Sequence, residues 1–137
     1  MMSKRHLARV IAMQAIFVLL QRERLSIDET INYLLSEREE NKISTDFIQE
    51  IVHGALENKD FILEKIVKFT KEKSVAKIDN LTIAILAVGI FELCLAKNKQ
   101  PVPVVINEAI ELAKEYAKDS APALVNAILS KVSEEKS

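Results

Sequence analysis

LTIAILAVGIFELCLA (Leu81–Ala96) is the longest strongly apolar run in this sequence, and the predicted fold is built around it. Only Thr82, Gly89 and Glu92 interrupt its run of apolar side chains. When the stretch is wound as an α-helix, apolar residues fall on every face, a pattern typical of a helix that is buried on all sides. It therefore predicts a central helix against which the rest of the chain packs.

The segment that follows, VVINEAIELAKEYAK (Val104–Lys118), has the pattern of an amphipathic helix. Apolar side chains recur in it at helical spacing, and the acidic Glu108, Glu111 and Glu115 lie between them. A short polar connection, KNKQPVP (Lys97–Pro103), joins it to the central helix. Helices joined by so short a connection are antiparallel neighbours.

Turn-forming and aromatic residues are scarce, with 2 Gly, 3 Pro and 5% aromatic residues. Strand-rich folds need turn residues every few positions, so this composition favours helices. The 137 residues suit a single domain, 1–137. Periodicity along the chain predicts an all-α fold of about six or seven helices. We expect two small bundles, an N-terminal one of about 1–73 and a C-terminal one of about 74–137, divided near Ser74.

Several local signals place helix boundaries and one close contact. The first helix should run from about Lys4 to Arg22. Ser26, three residues before a glutamate, fits a capping box, and Asp79 or Asn80 should cap the central helix. The sequence around residues 58–60 should bend or break a helix. A glycine inside a helix costs about 1 kcal/mol relative to alanine, so Gly54 indicates a close contact between helices.

Positive charge is concentrated at the N-terminus. Residues 1–24 carry a net charge of +4 and the remainder carries −5. Arg5 and Arg9 lie four residues apart and so share a helix face, which we expect to point away from the core. Basic residues followed by an aromatic one, here Phe17, suit single-stranded RNA, because cations follow the phosphates and rings stack on bases. A solvated helix start explains the same charges equally well, so both interpretations remain open at this point.

The sequence offers no convincing catalytic or metal site. Glu50, His53 and Glu57 share a helix face, but di-iron bundles use the Glu-x-x-His motif twice and here it occurs once. Cys94 lies in the apolar stretch without a positive neighbour to lower its pKa, which predicts a buried, inert thiol. Glu92 has no companion acid and is more simply a partner for a lysine or a helix amide. We therefore expect a protein that is not an enzyme and uses no cofactor.

Membrane and secretion signals are also weak. The apolar run VIAMQAIFVLL (Val10–Leu20) after the basic N-terminus resembles a signal peptide, but no small-residue cleavage site follows it. Leu81–Ala96 is shorter than the ~18 residues of a membrane span and contains Glu92. A single cysteine suits a reducing compartment. We expect a cytoplasmic protein with no membrane contact.

Several motifs together resemble the NusB transcription antitermination family. The resemblance follows the family's order over nearly the whole chain, and NEAIELAK is its most specific part. The matching segments are ARVIAMQAIF (Ala8–Phe17), FIQEIVHGAL (Phe47–Leu56), IAILAVGIFEL (Ile83–Leu93), VPVVINEAIELAKEYA (Val102–Ala117) and LVNAIL (Leu124–Leu129).

This resemblance implies a function as well as a fold. NusB proteins are helical, consist of two small bundles and bind RNA. With NusE, a ribosomal protein of the small subunit, they hold the single-stranded boxA element of ribosomal RNA transcripts and help RNA polymerase to read through terminators. By position, the RNA-binding residues implied here are Lys4, Arg5, His6, Arg9, Phe17, Ser120 and Leu124.

The chain also departs from the family pattern. Leu124 stands where the family usually has phenylalanine, and His6 and Leu7 stand where arginines are common. One alternative is therefore a helical protein-interaction module or homodimer with weakened RNA binding. NusB-like domains also precede RNA cytosine methyltransferases, but no cofactor-binding βαβ segment is found in this sequence.

Overall fold

The computed structural model describes residues 3–38, 44–70 and 75–136. Within these ranges the chain forms seven α-helices and no strand, which confirms the all-α prediction. The helices are α1 (Lys4–Gln21), α2 (Ile27–Ser36), α3 (Thr45–Glu57), α4 (Lys59–Phe69), α5 (Asn80–Ile90), α6 (Val102–Tyr116) and α7 (Ala121–Lys136). A 3-10 turn, Val75–Lys77, precedes α5, and a π-helical segment, Phe91–Leu95, continues it.

The central helix predicted from the apolar stretch is α5. Its residues 82–90 are all buried, and it packs against α1, α6 and α7. The π-helical segment that follows holds its last turn through a hydrogen bond from the Ala96 amide to the Phe91 carbonyl, at 3.0 Å. Through this segment the polypeptide remains helical up to the connection before α6, so Glu92 stays inside the core.

The starts of α1, α2 and α5 are fixed by side chains that accept hydrogen bonds from otherwise unpaired amides. The Ser26 hydroxyl accepts from the Glu29 amide at 3.2 Å, which confirms the predicted cap of α2. Asp79, rather than Asn80, caps α5 by accepting from the Thr82 amide at 2.8 Å. Ser3 caps α1 in the same way. The predicted break in the chain is also present, because α3 ends at Glu57 and α4 begins at Lys59.

Gly54 lies at a close helix contact, as the sequence indicated. A Cβ atom added to it would lie 2.1 Å from Cε1 of Phe91, which is buried. The ring therefore occupies the space that any side chain at position 54 would need. This contact joins α3 to the end of the central helix.

Three other expectations have different outcomes. The predicted boundary near Ser74 lies outside the described residues, so the division into two bundles stays a prediction. Cys94 is half-buried, not buried as expected, because the π-helical turn lies at the edge of the core. In the part of the chain that the structure describes, no helix combines the length and hydropathy needed to cross a membrane.

Gly54→Ala should lower the free energy of unfolding, although alanine favours a helix over glycine by about 1 kcal/mol. The new methyl group would overlap the Phe91 ring, and overpacking a core costs about 1–3 kcal/mol. Gly89→Ala is the matched control, because its methyl group would meet Cδ1 of Leu129, at 2.7 Å, the mobile end of an aliphatic side chain. In urea denaturation Gly54→Ala should be the less stable variant; equal stability would contradict the contact.

Asp79 should make stability depend on pH. Desolvation raises the pKa of Asp79, but hydrogen bonds from Thr82 and the charge of Lys118 bring it below the ordinary value of 3.8. The carboxylate therefore contributes stability above pH 3.8, and the contribution disappears as pH falls through the lower folded-state pKa.

Asp79→Asn isolates this charge, because asparagine still caps a helix. At neutral pH the variant should be less stable by about 0.3–1 kcal/mol, the usual effect of a negative charge at a helix N-terminus. The difference between the two proteins should shrink below pH 3.8 in urea titrations. A difference that stays constant at all pH values would contradict the assignment.

Candidate functional site

The first turn of α1 presents two cations to solvent. Lys4 and Arg5 are both exposed, and neither has an ion pair within the ranges that the structure describes. The Arg5 guanidinium lies over the ring of Phe47 in α3, 4.6 Å from the ring centroid. Lys4 and Arg5 are therefore two exposed cations near the N-terminus that an external anion can reach.

Arg9 is buried, which corrects the expectation that it shares an outward face with Arg5. It is 2% exposed, and its Nε and Nη2 atoms donate to the two carboxylate oxygens of Glu92 at 2.7 and 2.8 Å. Its Nη1 atom donates to Glu108 in α6 at 3.0 Å. Spacing within α1 places Arg9 near the face of Arg5, but it does not show that Glu92 of the π-helical segment and Glu108 of α6 cover Arg9.

The buried ion pair keeps Arg9 charged. Desolvation lowers the pKa of Arg9, but the hydrogen bonds and charges of Glu92 and Glu108 outweigh it, so the pKa is raised above the usual value of an arginine. Glu92 is 3% exposed, and its partner is a buried arginine, not the lysine or helix amide that the sequence indicated. A two-bond guanidinium–carboxylate pair is among the strongest hydrogen-bonded arrangements in proteins.

His6 also faces the protein. It is 8% exposed, with Nδ1 2.9 Å from Glu108 and Nε2 3.3 Å from Glu115, both in α6. Glu115 precedes the turn between α6 and α7, which contains the exposed Ser120. The contacts of His6 therefore tie the start of α1 to the helix that leads into this turn.

Phe17 and Leu124 are half-buried and pack against the core. Phe17 lies thirteen residues beyond Lys4, roughly 20 Å along α1 at the usual rise per residue. The structure therefore does not gather the seven predicted residues into one cluster. It places Lys4 and Arg5 together at the start of α1 and Phe17 near the other end of that helix.

Phe47 is a site residue that the sequence did not single out. The Arg5 guanidinium lies 4.6 Å from the centroid of the Phe47 ring and the Arg9 guanidinium 5.3 Å from it, so both arginines contact one aromatic side chain. A cation–π contact contributes about 0.5–1 kcal/mol at an exposed position. In the sequence Phe47 is simply the first member of the apolar stripe of α3, and no local signal shows which cations reach it.

The side chains of Glu50, His53 and Glu57 do not form a metal-binding site. His53 pairs with Asp28 of α2 at 2.9 Å, and Glu50 accepts from the Lys97 amide at 3.2 Å. Across residues 3–38, 44–70 and 75–136, no three potential ligands converge. Two of the three side chains therefore connect structural elements to one another.

Arg9→Met should lower the free energy of unfolding by about 3–5 kcal/mol, because it leaves the buried Glu92 carboxylate without its cation. The double variant Arg9→Met with Glu92→Met removes both charges and should be more stable than the single variant. Arg5→Met, at the exposed position one turn earlier, should cost at most about 1 kcal/mol. Chemical denaturation measures all three; equal losses for Arg9→Met and Arg5→Met would contradict the burial of the pair.

Solved structures with similar folds support the architecture. T. maritima NusB aligns with a TM-score of 0.84 and 26% identity, covering 98% of this chain and 94% of that one. A crystal structure of the antitermination factors NusB and NusE in complex with double-stranded RNA aligns with a TM-score of 0.84 and 25% identity. That alignment covers 98% of this chain and 99% of the other.

Curated relatives agree with the structural matches. The transcription antitermination protein NusB of Acetivibrio thermocellus is 35% identical over 128 residues, covering 93% of this chain and 87% of the relative. NusB of Bacillus subtilis is 36% identical over 129 residues and 94% of each chain. The NusB family model matches residues 6–134. The chain therefore belongs to the NusB family, the family that its motifs resembled.

Proposed function

We propose that this chain is an RNA-binding transcription antitermination factor that catalyses no reaction. The observation that carries the proposal is the pair of exposed, unpaired cations Lys4 and Arg5 at the start of α1, within the described ranges. Guanidinium groups suit phosphate because their planar donors match its oxygens. Membership of a family whose curated members are antitermination proteins supports the same function.

The RNA we propose is a single-stranded, boxA-like element of ribosomal RNA transcripts. Lys4 and Arg5 would contact phosphates, and Ser120, Phe17 and Leu124 would lie along the rest of the strand. The half-buried positions of Phe17 and Leu124 leave little ring or side-chain surface for stacking. His6 and Arg9, which face α5 and α6, are better suited to support this surface than to touch the RNA.

NusE is the protein partner that we propose, and the complex would act with RNA polymerase in the cytoplasm. One of the solved NusB structures that this chain resembles is a complex with NusE and double-stranded RNA. Double-stranded RNA is therefore the alternative ligand against which single-stranded boxA RNA should be compared. The full length of the match to that chain supports transfer of the partner to this one.

A second candidate function is a protein-interaction module or homodimer. An open groove of about 490 Å³ lies between the end of α1 and α2, where Leu25 is 44% and Tyr33 64% exposed. Exposed apolar side chains beside a groove favour contact with another protein. Light scattering would then show a mass that rises with concentration, together with indifference to RNA.

The RNA-binding proposal predicts a change in salt dependence when Lys4 and Arg5 are both replaced by glutamine. Each phosphate contact to single-stranded RNA contributes about −0.7 to the slope of log affinity against log salt. The double variant should therefore bind more weakly, with a slope about 1.4 less negative than that of the parent. Fluorescence anisotropy with labelled boxA-like RNA, with and without NusE, measures both quantities.

Replacing Arg22 and Arg24 by glutamine is the matched control, because it removes the same charge at the opposite end of α1. This variant should keep the parent slope, because Phe17, the contact proposed toward that end of α1, is uncharged and the proposed phosphate contacts are at Lys4 and Arg5. Equal slope changes in the two double variants would indicate general attraction by net charge and would contradict a defined contact. Failure of the parent to bind boxA-like RNA even with NusE would contradict the proposed function. The protein-interaction module or homodimer would then be the remaining candidate function.

A further inference from the structure

We propose that Glu92, Arg9 and Phe47 are positioning residues that hold the Arg5 guanidinium in place for an RNA phosphate without touching the RNA themselves. This inference rests on the proposed function and deepens it, because it divides the basic segment into one part that binds and another that orients. It assigns a role to Phe47 that neither the sequence motifs nor the family match provides.

The first step is the fixation of Arg9. Both oxygens of Glu92 accept from it, at 2.7 and 2.8 Å, and Glu108 accepts from the third nitrogen at 3.0 Å. All three guanidinium nitrogens therefore donate to carboxylates. A planar group held on both edges cannot rotate without breaking charged hydrogen bonds in the core.

The second step is the contact of both arginines with one ring. Arg9 lies 5.3 Å and Arg5 4.6 Å from the centroid of Phe47. Arg9 and Arg5 belong to α1, whereas Phe47 lies in the first turn of α3. The fixed guanidinium of Arg9 therefore limits where the ring can lie, and the ring in turn limits where Arg5 can lie.

The third step concerns what an ordered Arg5 contributes to binding. A free arginine side chain samples many rotamers and loses that freedom when it binds a phosphate. Holding the side chain over a ring beforehand reduces that loss. Arg5 is exposed and has no carboxylate partner in the described ranges, so its donors remain available to a phosphate.

Glu92→Gln provides a test in which two explanations predict opposite changes in RNA affinity. If only net charge matters, removing a carboxylate near a polyanion site should tighten RNA binding. If Glu92 positions Arg9 and Phe47, binding should weaken by about three- to tenfold, the usual effect of freeing a rotamer-rich side chain. The salt slope should stay at the parent value, since the number of phosphate contacts does not change.

Phe47→Leu and Phe47→Tyr form a second pair that does not disturb the buried charges. Leucine removes the ring and should weaken RNA binding by about three- to tenfold with the parent salt slope. Tyrosine keeps a ring under Arg5 and should bind RNA within about twofold of the parent. Circular dichroism and urea denaturation establish that each variant is folded. If Glu92→Gln does not fold, the two Phe47 variants decide the matter.

The outcomes separate this inference from the proposed function. One outcome would overturn the positioning role alone. In it, the parent binds RNA and loses that binding when Lys4 and Arg5 are replaced, but Glu92→Gln and Phe47→Leu bind RNA as tightly as the parent or more tightly. A changed salt slope in Glu92→Gln would also overturn it, because that result would mean altered phosphate contacts. Absence of parent RNA binding would overturn the proposed function itself.

Discussion

The ion pair between Arg9 and Glu92 is the interaction on which the arrangement of the first helix depends. Both side chains are almost completely buried, and neither charge can be left in the core without the other. Helix α1 can therefore pack against α5 and the π-helical segment that continues it only in the register that brings these two residues together. Glu108 extends the constraint to α6, so a single guanidinium links three helices.

This constraint has a direct consequence for the candidate RNA surface. Because Arg9 is neutralised inside the protein, the segment Lys4–Arg9 offers fewer cations to RNA than its sequence suggests. Lys4 and Arg5 remain, and the Phe47 ring beneath Arg5 gives that side chain a defined place on the surface. A small number of well-placed cations is consistent with the near-neutral net charge of −1, which gives little general attraction for polyanions.

Much of the fold could be predicted from the sequence because the relevant signals are local. The apolar run Leu81–Ala96 has no polar face, so it had to be a buried helix, and it is one over residues 82–90. The capping residues Ser26 and Asp79 act on amides within the same turn. Gly54 indicated a close contact, although the identity of its neighbour, Phe91, depends on how two helices meet.

The all-α class, the central helix, several helix boundaries and the family could be predicted from sequence patterns alone. Which residues of the segment Lys4–Arg9 face solvent depends on how the helices pack and could not be predicted from the sequence. Helical spacing states which residues share a face, but the neighbour covering that face comes from distant parts of the chain. Arg9 meets Glu92 and His6 meets Glu115 across more than eighty residues of sequence. The approach of Phe47 to Arg5 likewise depends on the packing of α3 against α1, since no pattern within either helix encodes it.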